Sequence, residues 1–124
     1  MPDEFQTSKP IYLQIADNMI KRVAKGELLP GDKLLSVREM AIHTGVNPNT
    51  IQRTYSEMER MGILETKRGQ GTFVMDDASL TERLREQLQS DIVDQFVTSM
   101  SDLGYTRDDI MKRIALRLEG RKQS

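Results

Sequence analysis

Apolar and polar positions alternate along this chain in rhythms that change from one segment to the next, and each change marks an element. Ile11, Ile15, Met19 and Val23 recur at spacings of four, with Ile20 beside them and Gln14, Asp17, Asn18, Lys21 and Arg22 between. That pattern predicts an amphipathic helix. Ser8 and Pro10 stand where helix starts favour them, and Gly26 stands just past the end. Leu29-Pro30-Gly31-Asp32 reads as a turn, because proline presets φ at its second position and glycine tolerates positive φ at its third.

A second helix is predicted from Ser36, with Glu39 completing a capping box and Leu35 and Met40 placed as a hydrophobic staple; it stops at Gly45. A third has Asn47 as cap, Pro48 as first helical residue and Gly62 just beyond its end. Only Thr44-Gly45-Val46 separates the two, the short turn expected of a helix-turn-helix. The runs Ile63-Leu64-Glu65-Thr66 and Thr72-Phe73-Val74-Met75 flank Lys67-Arg68-Gly69-Gln70-Gly71, which predicts a hairpin with a basic, glycine-rich tip. Asp76-Asp77-Ala78 breaks the pattern as a linker. From Ser79, with Glu82 in a second capping box, Leu80, Leu84, Leu88, Ile92, Phe96 and Met100 repeat every four residues, joined by Val93 and Val97. After Leu103-Gly104-Tyr105, Thr106 caps a last helix whose apolar face includes Ile110, Met111, Ile114, Ala115 and Leu118. The predicted fold is mainly α with one small hairpin: a winged helix-turn-helix over residues 1–75, a linker over 76–79, and a two-helix region over 80–124.

Set on a helical wheel, the third helix turns Ile51, Tyr55 and Met58 to one side and Asn49, Arg53, Ser56 and Arg60 to the other, with Thr50 and Gln52 on the flanks. Amide and guanidinium groups on such a face match base edges in the major groove, where Arg pairs with guanine and Asn or Gln with adenine. A solvated polar face would look the same. The neighbours add to the first reading: Ser36 and Arg38 open the second helix, and the free amides at the start of the second and third helices suit phosphate oxygens. Lys67 and Arg68 stand at the hairpin tip, and Gly69 and Gly71 permit close approach of backbone to a sugar-phosphate chain.

Net charge changes this picture little. The chain carries −1 overall, with 10 Lys and Arg against 9 acids in residues 1–75 and 8 against 10 in the remainder. Placement of cations matters more than their sum, because phosphate neutralisation is local. The chain has no cysteine and one histidine, so thiolate sites, disulfides and multi-histidine metal sites are excluded. No nucleophile and base pair or phosphate-binding loop is apparent, and Asp76-Asp77 and Asp108-Asp109 read as linker and cap residues. The reading is therefore not an enzyme, with no metal and no cofactor. No apolar run approaches the roughly 20 residues of a membrane span, and Met1 to Lys9 lacks a signal-peptide core. The expected location is cytoplasmic, on the nucleoid, with no membrane partner.

The segments Pro10-Ile11-Tyr12, Gln14-Ile15, Pro30-Gly31-Asp32-Lys33-Leu34, Ser36-Val37-Arg38-Glu39, Val46-Asn47-Pro48-Asn49-Thr50 and Gly69-Gln70-Gly71-Thr72-Phe73-Val74, with Gly26, Arg53 and Tyr55, resemble the GntR family of bacterial regulators over about the first 75 residues. The resemblance implies DNA contacts at Arg38, Asn47, Pro48, Asn49, Thr50, Gln52 and Arg53, and at Arg68, Gly69 and Gln70 in the wing. It gives no support to Ser56 and Arg60. Leu35 departs from the family, which usually has proline there. The short two-helix tail is similar to that of YtrA-type members, which dimerise through it, and this implies a repressor of transporter operons.

Physically, the stripe from Leu80 to Met100 is too long to be buried by one short partner helix, so a four-helix arrangement of two copies is expected, using Leu80, Leu84, Leu88, Ile92, Phe96, Met100, Ile110 and Ile114. Packing of the tail on its own DNA-binding domain is the alternative. A two-fold dimer would space two recognition helices by roughly 34 Å, matching a palindromic double-stranded operator. The contrasting function is a winged-helix protein-interaction module without DNA readout. No small-molecule effector can be named from the residues.

Overall fold

The computed structural model describes residues 8–121. In chain order these form α1 (Ile11–Ala24), α2 (Val37–Thr44), α3 (Pro48–Arg60), β1 (Leu64–Lys67), β2 (Gly71–Val74), α4 (Leu80–Asp102) and α5 (Arg107–Glu119). The mainly helical class with one small antiparallel sheet is as expected. The chain divides into two compact units, one reaching to Glu86 and one from Gln87 onward, so α4 runs through the division.

In the first unit, α1 and α2 both pack on α3, and α3 also packs on β1. The predicted stripe of α1 is buried at Ile15, Met19, Ile20 and Val23, and it meets a core to which α3 contributes Ile51, Tyr55 and Met58 and the hairpin Ile63, Leu64 and Val74. Ser8 takes no part in starting α1. Pro10 is the cap residue, and its carbonyl accepts the amides of Leu13 and Gln14.

The buried face of α3 carries one polar residue that periodicity does not assign to it. Thr54 is fully buried, and its hydroxyl lies 3.1 Å from the Tyr12 carbonyl and 2.9 Å from that of Thr50. Tyr55 donates its hydroxyl to the carbonyl of Leu35 at 2.8 Å, and burial, aided by the Glu39 charge, pushes its pKa up to about 12. The phenol thus stays a donor. Of the expected staple, Met40 is buried and Leu35 is 40% exposed. The Tyr55 bond holds the entry to α2 through the backbone of Leu35.

The turn at residues 29–32 forms as read, with the Asp32 amide on the Leu29 carbonyl at 2.9 Å and Gly31 at φ +88°. The segment leading out of this turn pairs in a way that the sequence pattern does not predict. The Gly31 amide donates to Val74, the Val74 amide to Asp32 and the Leu34 amide to Thr72, while Lys33 bridges Phe73 across an antiparallel pair. Residues 31–34 therefore pair along the free edge of β2 and tie the wing to the chain entering α2. Four residues without alternating polarity give no strand signal, so only the partner reveals them.

The expected capping box at Ser79 and Glu82 does not form. Asp77 does that work: its carboxylate accepts both the amide and the hydroxyl of Ser79 at 2.9 Å and pairs with Arg83 at 2.8 Å, while Glu82 pairs with Arg85. These bonds, the Ser79 amide first, hold the Asp77 carboxyl below its ordinary pKa. Leu80, just after, is 1% exposed. The box at Thr106 and Asp109 is present at the start of α5. Tyr55→Phe is expected to lower the free energy of unfolding by about 1 kcal/mol, the usual worth of one internal hydrogen bond, with unchanged helix content; urea titration followed by circular dichroism checks both.

Candidate nucleic-acid interface

Three elements carry the predicted contact residues. At the start of α2, Ser36 accepts the Glu39 amide at 3.1 Å and Glu39 accepts the Ser36 amide at 2.9 Å, and these bonds hold the Glu39 carboxyl below its usual range. The Ser36 hydroxyl is thereby committed as an acceptor within the helix. The amides of Val37 and Arg38 have no partner among the described residues, and the Arg38 side chain is exposed. This end of α2 offers two donors and a cation in one turn, the combination that suits a phosphate.

The start of α3 differs from expectation. Pro48 has no N–H, the Asn49 amide is held by the Asn47 side chain at 2.7 Å, and the Thr50 and Ile51 amides reach the Asn47 carbonyl. Each donor of the first turn is therefore used internally, so of these two helices only α2 keeps free amides among the described residues. What α3 presents is side chains. Asn47, Pro48, Asn49, Gln52 and Arg53 are exposed and Thr50 is half-buried, while Ile51, Thr54, Tyr55 and Met58 are turned inward. Arg60 pairs with Glu57 along the helix, and Ser56 lies 3.3 Å from the Gln52 amide nitrogen.

Arg53 is not loose. Its guanidinium carbon lies 4.1 Å from the centre of the Tyr12 ring, a stacking distance at which the ring face attracts the cation. Thr54, the next residue, contacts the Tyr12 carbonyl, so the backbone that carries the ring is tied to the helix that carries the guanidinium. Sequence reasoning misses Tyr12 as a site residue because its place above α3 is a tertiary fact; its position in the Pro10-Ile11-Tyr12 segment is the available signal.

In the wing, β1 and β2 pair from Leu64 with Val74 to Lys67 with Gly71, leaving Arg68, Gly69 and Gln70 at the tip. The Gln70 amide closes the turn on the Lys67 carbonyl at 2.8 Å, and Gly69 has φ +76°. Lys67 sits 4.8 Å from the Phe73 ring centre, held along the strand, whereas Arg68 is exposed at the tip without an ion-pair partner among the described residues. The wing is fastened to α3 by the Thr66 hydroxyl on Glu59 at 2.6 Å. Gly71 has φ +124°, and a Cβ there would lie 3.0 Å from Cε of Lys33. Close approach at Gly71 is thus made by a neighbouring side chain of the same domain.

The residues read as a dimer stripe fall into different environments. Leu80 and Ile110 are buried within the chain; Leu84, Leu88, Met100 and Ile114 are half-buried; Ile92 and Phe96 are exposed. Val93, Val97, Leu103, Met111, Leu116 and Leu118 are also exposed. Within the second unit, Phe96, Met100, Ile114 and Leu118 line a cleft of about 270 Å³ bordered by Arg113 and Arg117.

Residues 11–74 match the family described as bacterial regulatory proteins, gntR family. The chain belongs to this family. Its relatives extend the likeness beyond the winged domain: it is 56% identical over 120 residues to the HTH-type transcriptional regulator YhcF of Bacillus subtilis, covering 97% of this chain and 99% of that protein. It is also 44% identical over 95 residues to the HTH-type transcriptional repressor YtrA of Bacillus subtilis, covering 72% and 73%. A GntR family transcriptional regulator from Listeria monocytogenes superposes with a TM-score of 0.84 at 39% identity, covering 90% of this chain and 97% of that one. The GntR chain described here is accordingly a YtrA-like, DNA-binding transcription regulator and not an enzyme. Among its described residues no helix is long and apolar enough to cross a membrane. Because Gly71 combines positive φ with a close neighbour, Gly71→Ala is expected to destabilise the first unit by about 1 to 3 kcal/mol, visible as a lowered melting temperature.

Proposed function

We propose that this regulator is a homodimeric repressor that reads a palindromic double-stranded operator with the exposed face of α3. The observation that supports this most is the division of labour on that helix: one face is wholly buried, and the other carries Asn49, Gln52 and Arg53, with the Arg53 guanidinium already ordered on Tyr12. Ordering before binding lowers the entropy lost when a flexible side chain docks. In this reading Arg53 and Gln52 contact base edges, Asn49 and Thr50 follow the groove, Arg38 and the free amides of α2 grip phosphate, and Arg68 with the Gly69-Gln70 tip holds the wing against the flanking backbone. Asn47 and Pro48 shape the helix start. Lys67 and Gly71 support the wing, and Ser36 keeps α2 capped.

The exposed apolar face of the second unit supports dimerisation. Ile92, Val93, Phe96 and Val97 on α4 and Met111, Leu116 and Leu118 on α5 leave more apolar surface in water than a lone two-helix unit tolerates well. A second copy of the same hairpin would cover it. Leu80 and Ile110, buried within each chain, are then structural residues in the dimer. The target class carried by the YtrA-type likeness is an operon for a membrane transporter, acted on at the nucleoid in the cytoplasm.

Arg53→Ala is expected to cost about 1 to 3 kcal/mol of discrimination at one base pair of each half-site, measured by titrating a selected operator and its single-base variants; a variant that discriminates as the wild type does would remove Arg53 from base readout, whereas absent or salt-independent DNA binding by the wild type would point to a protein-interaction module. Phe96→Glu is expected to convert a dimer to a monomer in sedimentation equilibrium and to weaken operator binding with it.

A further inference from the structure

α1 and α2 each pack on α3 far more than on one another, and the space left between them is a groove of about 750 Å³. That volume falls within the about 300 to 1,000 Å³ of small-molecule sites. Its floor is apolar, formed by Ile15, Met19, Leu34 and Met40. Its rim is polar: Arg22, Lys33, Asn18 and His43 line it beside one carboxylate, Glu39, whose Oε1 is already taken by the Ser36 amide. Among the described residues the side chains of Asn18, Lys33 and His43 have neither a hydrogen bond nor a salt bridge, and that of Arg22 reaches Glu27 at 3.3 Å. No residue of α3 or of the wing lines the groove, although the end of the Lys33 side chain also lies against Gly71 of the wing.

We propose that this groove binds a small amphipathic anion, its apolar body on the two methionines and its carboxylate or phosphate at Lys33 and Arg22, and that occupancy changes the grip on DNA. The coupling follows from residues 33–35, which form one wall. Lys33 pairs with Phe73 and Leu34 donates to Thr72 in the wing, and Leu35 receives the Tyr55 hydroxyl from α3. A ligand drawn against this wall acts on the wing and the recognition helix through a single three-residue segment. The regulatory half of the proposal rests on the proposed reading of DNA by α3; the binding half does not.

The test is methyl NMR of the full chain labelled at methionine, titrated without DNA with octanoate and, separately, with its neutral amide. Saturable shifts of Met19 and Met40, with octanoate bound about tenfold more tightly than octanamide, are expected, and Lys33→Glu and Arg22→Glu should each abolish that preference while keeping the wild-type fold. Equal binding of acid and amide, indifference to both substitutions, or shifts confined to Met100 and Met111 would overturn the site. Operator titration of the wild type with and without saturating octanoate then tests the coupling: a change of about tenfold is expected, and an unchanged affinity overturns it. A protein that binds no operator at all fails the DNA-binding proposal and leaves the methionine titration standing.

Discussion

The buried side of α3 is the constraint on which the first unit turns. Ile51, Thr54, Tyr55 and Met58 are each nearly or fully removed from water, on a helix that packs against α1, α2 and the first strand. Two of the four use polar atoms to fix direction where apolar contact alone would leave freedom: Thr54 reaches the Tyr12 backbone and Tyr55 reaches that of Leu35. Close packing sets where a helix lies, but a hydrogen bond across 42 or 20 residues of sequence sets its rotation and register as well. Because the inward face is over-determined, the outward face has only one direction in which to present Asn49, Gln52 and Arg53.

The same economy governs the polar groups around the interface. Helix starts leave amides without partners, and each start resolves this differently. At α3 the cap Asn47 and the imino acid Pro48 consume or remove the donors, so this helix meets its target with side chains. At α2 the capping box takes only the third amide, and two remain beside Arg38. Cations follow a similar division. Arg60 and Lys67 are occupied by Glu57 and Phe73, whereas Arg38 and Arg68 are not, and Arg53 is oriented by Tyr12 without being neutralised. A chain with a net charge of −1 can thus still offer localised positive potential, since what counts is which cations lack a carboxylate partner.

The edge formed by residues 31–34 joins these parts. It is one hydrogen-bonded layer with the wing, it leads directly into the cap of α2, and its last carbonyl neighbour, Leu35, is held by the recognition helix. Position 35, where the resemblance to the family implies proline, carries a leucine whose carbonyl receives the Tyr55 hydroxyl, a role that any residue's backbone can fill.

The sequence by itself determined the helices, the hairpin and the candidate interface, because helix periodicity, the caps Ser36, Asn47 and Thr106, and the turn at Pro30-Gly31 are local features that neighbours along the chain impose. It misjudged the start of α4, where the Asp77 carboxylate takes both the amide and the hydroxyl of Ser79 and the Ser79 hydroxyl does not cap the Glu82 amide, a choice between two local caps that composition does not rank. Everything that depended on distant partners was left to the tertiary structure: the edge pairing of Lys33, the burial of Thr54, the stacking of Tyr12 on Arg53, and the groove between α1 and α2. These arise from packing three helices and a hairpin around one core. A linear pattern encodes which face of each element is apolar, but the neighbours that face will meet are set only when the core closes.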